Sequence, residues 1–140
     1  TVPPPSMATF DAPEREFCLV RRSRTNTPLQ AFVMLHDPQF VEAAYHLAHE
    51  MIRAAGDPEK RIEHGFRLVT SRFPNQKEKT VLHRLLTERL TVYGKDTQAA
   101  KTLLSVGETK KNSNLPESEL AAWTTVARAL LNLSETISKN

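Results

Sequence analysis

Three times the chain places a helix-capping residue directly before a proline: Thr27-Pro28, Asp37-Pro38 and Asp57-Pro58. Proline suits the first position of a helix, where its missing N–H would have no partner and its ring already holds φ at a helical value. A Thr or Asp just before it can accept a hydrogen bond from a free N–H of the first turn. Thr27 has Gln30 three residues on, and Asn75 has Glu78 at the same spacing, so both read as capping boxes. Asp96 offers one more cap without proline. Signals this frequent leave little room for strands and divide the chain into a succession of helices.

The apolar residues keep to that division. A first helix is predicted from about Pro28 to His36. The second opens at Asp37-Pro38, buries Val41, Ala44, Tyr45, Ala48, Met51, Ile52 and Ala55 on one face, and ends at Gly56. The third opens at Asp57-Pro58, with Ile62, Phe66, Val69 and Phe73 as its buried stripe and Pro74 blocking its continuation. Behind Asn75 the fourth buries Leu82, Leu85, Leu86, Leu90 and Tyr93 and stops at Gly94. A short helix from Asp96 passes Leu103 and Leu104 to Val106 and is closed by Gly107. The polar stretch 107–115 reads as an exposed loop. The last helix is predicted from near Pro116 to about Ile137, with Leu120, Trp123, Val126, Ala127, Leu130, Leu131 and Ile137 inward. Residues 1–26, which include Pro3, Pro4, Pro5 and Pro13, form an extended arm that Phe10 and Phe17 pin to the helices. The expected fold is all-α: a compact bundle of five or six antiparallel helices over residues 27–140, preceded by the proline-rich arm over 1–26.

Composition narrows the function classes without naming one. The 140 residues suit a single core. No apolar run approaches the roughly 20 residues that a membrane-spanning helix needs. The chain opens on Thr1-Val2-Pro3 with neither a signal peptide nor a methionine, and reads as a piece cut from the interior of a larger domain. Its net charge of +3 is unevenly placed: residues 58–95 sum to +5 while 31–57 sum to −3. A basic face on two helices is solvated surface or a docking face for an acidic protein partner. Without interleaved aromatics to stack bases, it disfavours nucleic acid. The single cysteine, Cys18, cannot form an internal disulfide. It reads as a small buried hydrophobe, ahead of a bridge to a region outside this chain.

Two constellations carry possible chemistry. Arg21, Arg22 and Arg24 crowd into four positions, followed by Thr25, Asn26, Thr27 and Gln30 at a helix N-terminus. Guanidinium forks beside free N–H groups attract a carboxylate, sulfate or phosphate. The competing reading is structural: the same arginines pair with Asp11, Glu14 or Glu16, or with the front of the domain, and lock the arm onto the bundle. That reading is preferred, because charges taken from water need partners. The second constellation is Glu42, His46, His49 and Glu50; the spacing puts Glu42, His46 and His49, two imidazoles and a carboxylate, near one another on one helix surface, the weak makings of a zinc site. The bland reading, the wet face of an amphipathic helix, is preferred here too. His64 and His83 stand alone. There is no Gly-rich phosphate loop, nucleophile elbow or His-Glu-x-x-His motif. The expectation is therefore no catalytic residue and no metal, with no catalytic activity in this fragment alone.

Longer stretches carry a family resemblance. They run from Val2-Pro3-Pro4-Pro5-Ser6-Met7 through Phe10-Asp11-Ala12-Pro13, Glu14-Arg15-Glu16 and Cys18. Next come Arg21-Arg22-Ser23-Arg24-Thr25-Asn26-Thr27-Pro28-Leu29-Gln30-Ala31 and Asp37-Pro38-Gln39-Phe40-Val41-Glu42-Ala43-Ala44. Phe66-Arg67-Leu68-Val69, Ala121-Ala122-Trp123 and Leu130-Leu131-Asn132-Leu133 complete them. The chain resembles the C-terminal part of a domain of unknown function found in large planctomycete-type cytochrome c proteins. His36 departs from the asparagine of that pattern. The resemblance implies an exported bacterial parent, periplasmic or at the cell surface, with a c-type haem elsewhere in it. No Cys-x-x-Cys-His attachment motif occurs in this chain, so none is expected here. It implies as partners the remainder of the parent chain, with a redox partner or an anionic glycan beyond it.

Three functions remain open at this point. The chain is a C-terminal structural and interaction module, or part of an anionic-ligand or glycan site completed by residues outside it, or a basic docking face.

Overall fold

The computed structural model describes residues 37–54, 56–107 and 114–133, which fold into five helices without a strand. Helix α1, Pro38–Ala54, starts where Asp37 accepts the Gln39 N–H at 2.9 Å, with Pro38 in the first turn. Helix α2, Pro58–Thr70, follows Asp57 in extended conformation, again with proline in its first turn. Helix α3, Gln76–Lys95, opens on a complete capping box: Asn75 Oδ1 accepts the Glu78 N–H at 2.9 Å, and Glu78 accepts the Asn75 N–H at 2.7 Å. Helix α4, Thr97–Ser105, starts from Asp96, whose carboxylate accepts the Ala99 N–H at 3.0 Å. Helix α5 spans Glu117–Leu131. The arm 1–26, the helix over 28–36, Ala55, the middle of the loop at 108–113 and the stretch 134–140 lie outside the described residues.

The helices pack as a compact bundle around α5, which touches each of the other four. Consecutive helices also pack on each other from α1 to α4, as short connections favour. Trp123, Val126 and Leu130 of α5 meet Ala44, Ala48 and Met51 of α1, Ile62 and Phe66 of α2, and Leu82 and Leu86 of α3 in one apolar core. Thr124 is the buried polar residue of that interior, and its hydroxyl donates to the Leu120 carbonyl one turn back. Small residues let the backbones close up. A Cβ on Gly65 would stand 2.5 Å from Met51 Sδ, so α2 lies close against α1 there and a larger residue would have to displace the Met51 side chain.

Several expectations from the periodicity are corrected. Phe73 is 63% exposed, because α2 ends at Thr70 and Ser71 takes the left-handed conformation (φ 63°), which throws the chain off the helical stripe. Pro74 therefore does not stop the helix; the Ser71 N–H already closes it on the Arg67 carbonyl. Leu90 is exposed as well, at the edge of the stripe formed by Leu82, Leu86 and Tyr93 at 3.6 residues per turn. Gly94 does not end α3, which runs to Lys95 and breaks at Asp96. Asp96 closes α3 through its N–H to the Val92 carbonyl and opens α4 through its carboxylate. The last helix stops at Leu131 rather than near Ile137: the Asn132 N–H turns back to the Arg128 and Ala129 carbonyls. Its buried surface is also wider than the expected stripe, taking in Ala121, Ala122 and Thr124. A helix that is apolar nearly all round belongs at the centre of a bundle, and α5 is there.

Candidate functional site

The arginine constellation, with Arg21, Arg22, Arg24, Thr25, Asn26, Thr27 and Gln30, lies outside the described residues, as does Cys18. Glu42, His46 and His49 are all on α1. There His49 Nε2 lies 3.1 Å from the Tyr45 hydroxyl, and both His46 and His49 meet the Tyr45 ring edge-on. Burial, helped by the neighbouring charges of His46 and Arg53, lowers the pKa of His49 below the ordinary histidine value. Glu42 lies one turn earlier against Gly107, where an added Cβ would stand 3.2 Å from Oε2. Among the described residues no group of three His, Cys, Asp or Glu side chains is arranged to hold a metal ion.

The basic stretch 58–95 is resolved into separate roles. Arg61 turns inward: its guanidinium sits 5.5 Å from the Trp123 ring centroid and reaches Glu119 at 3.2 Å, tying α2 to the first turn of α5. Arg72 grips Glu78 with both arms of its fork, at 2.6 and 3.0 Å, and lies over the Phe66 ring. The hydrogen bonds from Arg72 hold the Glu78 carboxyl below its usual range, so the same carboxylate that caps α3 stays ionised. Lys79 pairs with Glu63 across the α2–α3 gap, and Arg84 Nε donates to Glu88 at 2.8 Å on α3 itself.

Of these residues Lys79 and Arg84 line a groove of about 320 Å³ between α2 and α3. Ile62 forms its apolar floor, and Glu59 stands on the α2 side. Gln76, Lys79, Thr80, His83 and Arg84 form the α3 side, which is rich in donors. The Thr80 hydroxyl donates to the Gln76 carbonyl and so turns lone pairs outward. His83 had stood alone in the sequence. Its place beside Lys79 and Arg84 follows from the 3–4 residue spacing on α3, a signal that could have been read, while Glu59 and Ile62 join only through the docking of α2.

No curated protein and no solved structure matches the chain. The family model described as PSD1, a protein of unknown function (DUF1553), matches residues 1–86. The matched region starts with the arm and the arginine stretch and continues through α1 and α2 as far as Leu86 in α3. With more than half of its length matched, the chain belongs to this PSD1 family of unknown function, DUF1553.

Proposed function

We infer that this chain is the C-terminal structural and interaction module of an exported, cytochrome c-associated bacterial protein. The observation behind the module reading is the family match over residues 1–86, which runs from the arginine-rich stretch into α1, α2 and the first part of α3; the export and cytochrome c context rest on the sequence resemblance alone. In that scaffold the interior is apolar, and the ion pairs Lys79–Glu63, Arg84–Glu88 and Lys101–Glu117 lie at its surface. A bundle so built holds surfaces in place for something else to bind. The arginine stretch is assigned to the junction with the remainder of the parent chain, its first partner. The c-type haem is assigned to another part of that parent, and the location to the periplasm or cell surface. All three assignments rest on the sequence resemblance.

The test is to isolate the native protein with an antibody raised against this chain and record its mass and visible spectrum. A mass several times 15.8 kDa with a c-type haem band is expected. A native mass near 15.8 kDa without haem absorption would overturn the cytochrome context.

A further inference from the structure

We propose that the α2–α3 groove is a recognition site for a carboxylate side chain of an acidic peptide segment. The proposal deepens the interaction-module reading, on which it rests for its biological setting, yet its test needs no haem and no parent protein. The groove has the size for one or two side chains, at about 320 Å³, and its floor at Ile62 is apolar. Its α3 wall presents Lys79, His83 and Arg84 within six residues, all on the groove side.

These donors are held in place without being used up. Glu63 fixes the Lys79 ammonium, which keeps further N–H groups for a second acceptor. Glu88 holds only Nε of Arg84, and the outer edge of that guanidinium stays open on a side chain 80% exposed. A planar fork with one edge pinned is suited to taking a carboxylate on the other. The Gln76 amide and the His83 ring make no hydrogen bond to another described residue, and both line the groove. Glu59 is the opposing charge. It disfavours a doubly charged phosphate more than a single carboxylate, and it can accept an N–H from a peptide backbone. The surrounding field agrees: residues 58–95 carry +5, and Lys60, Lys77 and Lys95 take part in none of the ion pairs described for α2 and α3. An acidic segment is therefore drawn in by charge and sorted by the groove.

The experiment is an amide-resolved NMR titration of the whole 140-residue chain. The probe is an N-acetylated, C-amidated peptide Leu-Glu-Glu-Leu, compared with Leu-Gln-Gln-Leu. Shifts are expected at Glu59, Gln76, Thr80, His83 and Arg84 with the glutamate peptide and not with the glutamine peptide. Arg84→Gln removes a charge-assisted hydrogen bond and should weaken binding about tenfold. Lys95→Gln, which removes the same charge outside the groove, should weaken it less than about twofold. Raising NaCl from about 50 to about 300 mM should weaken binding roughly fivefold or more. Absence of shifts in the groove would overturn the proposal. Equal shifts with both peptides, equal losses in the two variants, or tighter binding of inorganic phosphate than of the glutamate peptide would do the same. Both residues are exposed, and unchanged spectra away from the mutated position show that each variant is folded.

Discussion

Helices α3 and α5 differ in sequence, the one rich in charges and the other in alanine and leucine, and they hold their places by different means. Helix α3 has 20 residues and buries Leu82 and Leu86. Helix α5 has 15 and buries eight, from Leu120 to Leu130. The longer helix is secured at its ends, by the Asn75–Glu78 box with Arg72 clamped on it and by Asp96. The shorter is secured along its whole length by neighbours on all sides. Alanines at 121, 122 and 127 make that possible, because they let four helices approach a single axis. End-capping leaves the flank of α3 free to line a groove, while burial leaves α5 with none.

The comparison predicts a steep order of sensitivities, measurable by denaturant or thermal unfolding. Trp123→Ala should cost about 3–5 kcal/mol, because a fully buried indole leaves a cavity at the contact of α1, α2 and α5. A loss near that of a surface substitution would break the view of α5 as the central element. Gly65→Ala should cost about 1–3 kcal/mol through its clash with Met51, and Met51→Val in the same chain should recover part of it. Failure of the double variant to recover would show that Met51 is not the obstacle. Asn75→Ala should cost about 1 kcal/mol and lower the protection of the first-turn amides of α3 in hydrogen exchange. Unchanged protection would mean that Glu78 and Arg72 suffice without the cap.

Acidification should separate the regions further, with a smaller effect. In the folded state the His49 pKa lies below the ordinary value of about 6.5. The unfolded chain therefore takes up the proton first, and stability falls as the pH drops below that value. Glu50 opposes the shift, while burial, His46 and Arg53 drive it. His49→Gln should flatten this part of the pH–stability curve; an unchanged slope would remove His49 from the account. The depressed Glu78 carboxyl adds a second loss at lower pH, below the ordinary carboxylate range, as the protonated form gives up the Arg72 clamp. The smallest effect is expected at Leu90→Ala, within about 0.5 kcal/mol, because that side chain already meets water.

Local signals were legible wherever one residue decides an event. The caps at Asp37, Asn75 and Asp96, the stripe of α1 up to Ile52 and that of α2 up to Phe66 stand where spacing put them. The misjudged points are those where a turn or a distant helix intervenes. Ser71 rotated Phe73 outward, and Gly94 passed inside a helix because its exposed position makes no demand for a break. The groove was half legible: Gln76, Lys79, Thr80 and His83 repeat at helical spacing, whereas the α2 wall requires knowing which helix faces them.

The sequence by itself determined the helical class, the starts of the five described helices and the apolar faces of α1 and of α2 up to Phe66. Capping and periodicity act within a few residues, so their energetics are written in adjacent side chains. Only the tertiary structure decided that α5 is the axis, that Arg61 spans to Trp123 and Glu119, and that α2 lends Glu59 and Ile62 to the face of α3. Those outcomes depend on which apolar surfaces bury most area together, a sum over the whole bundle that no local stretch contains.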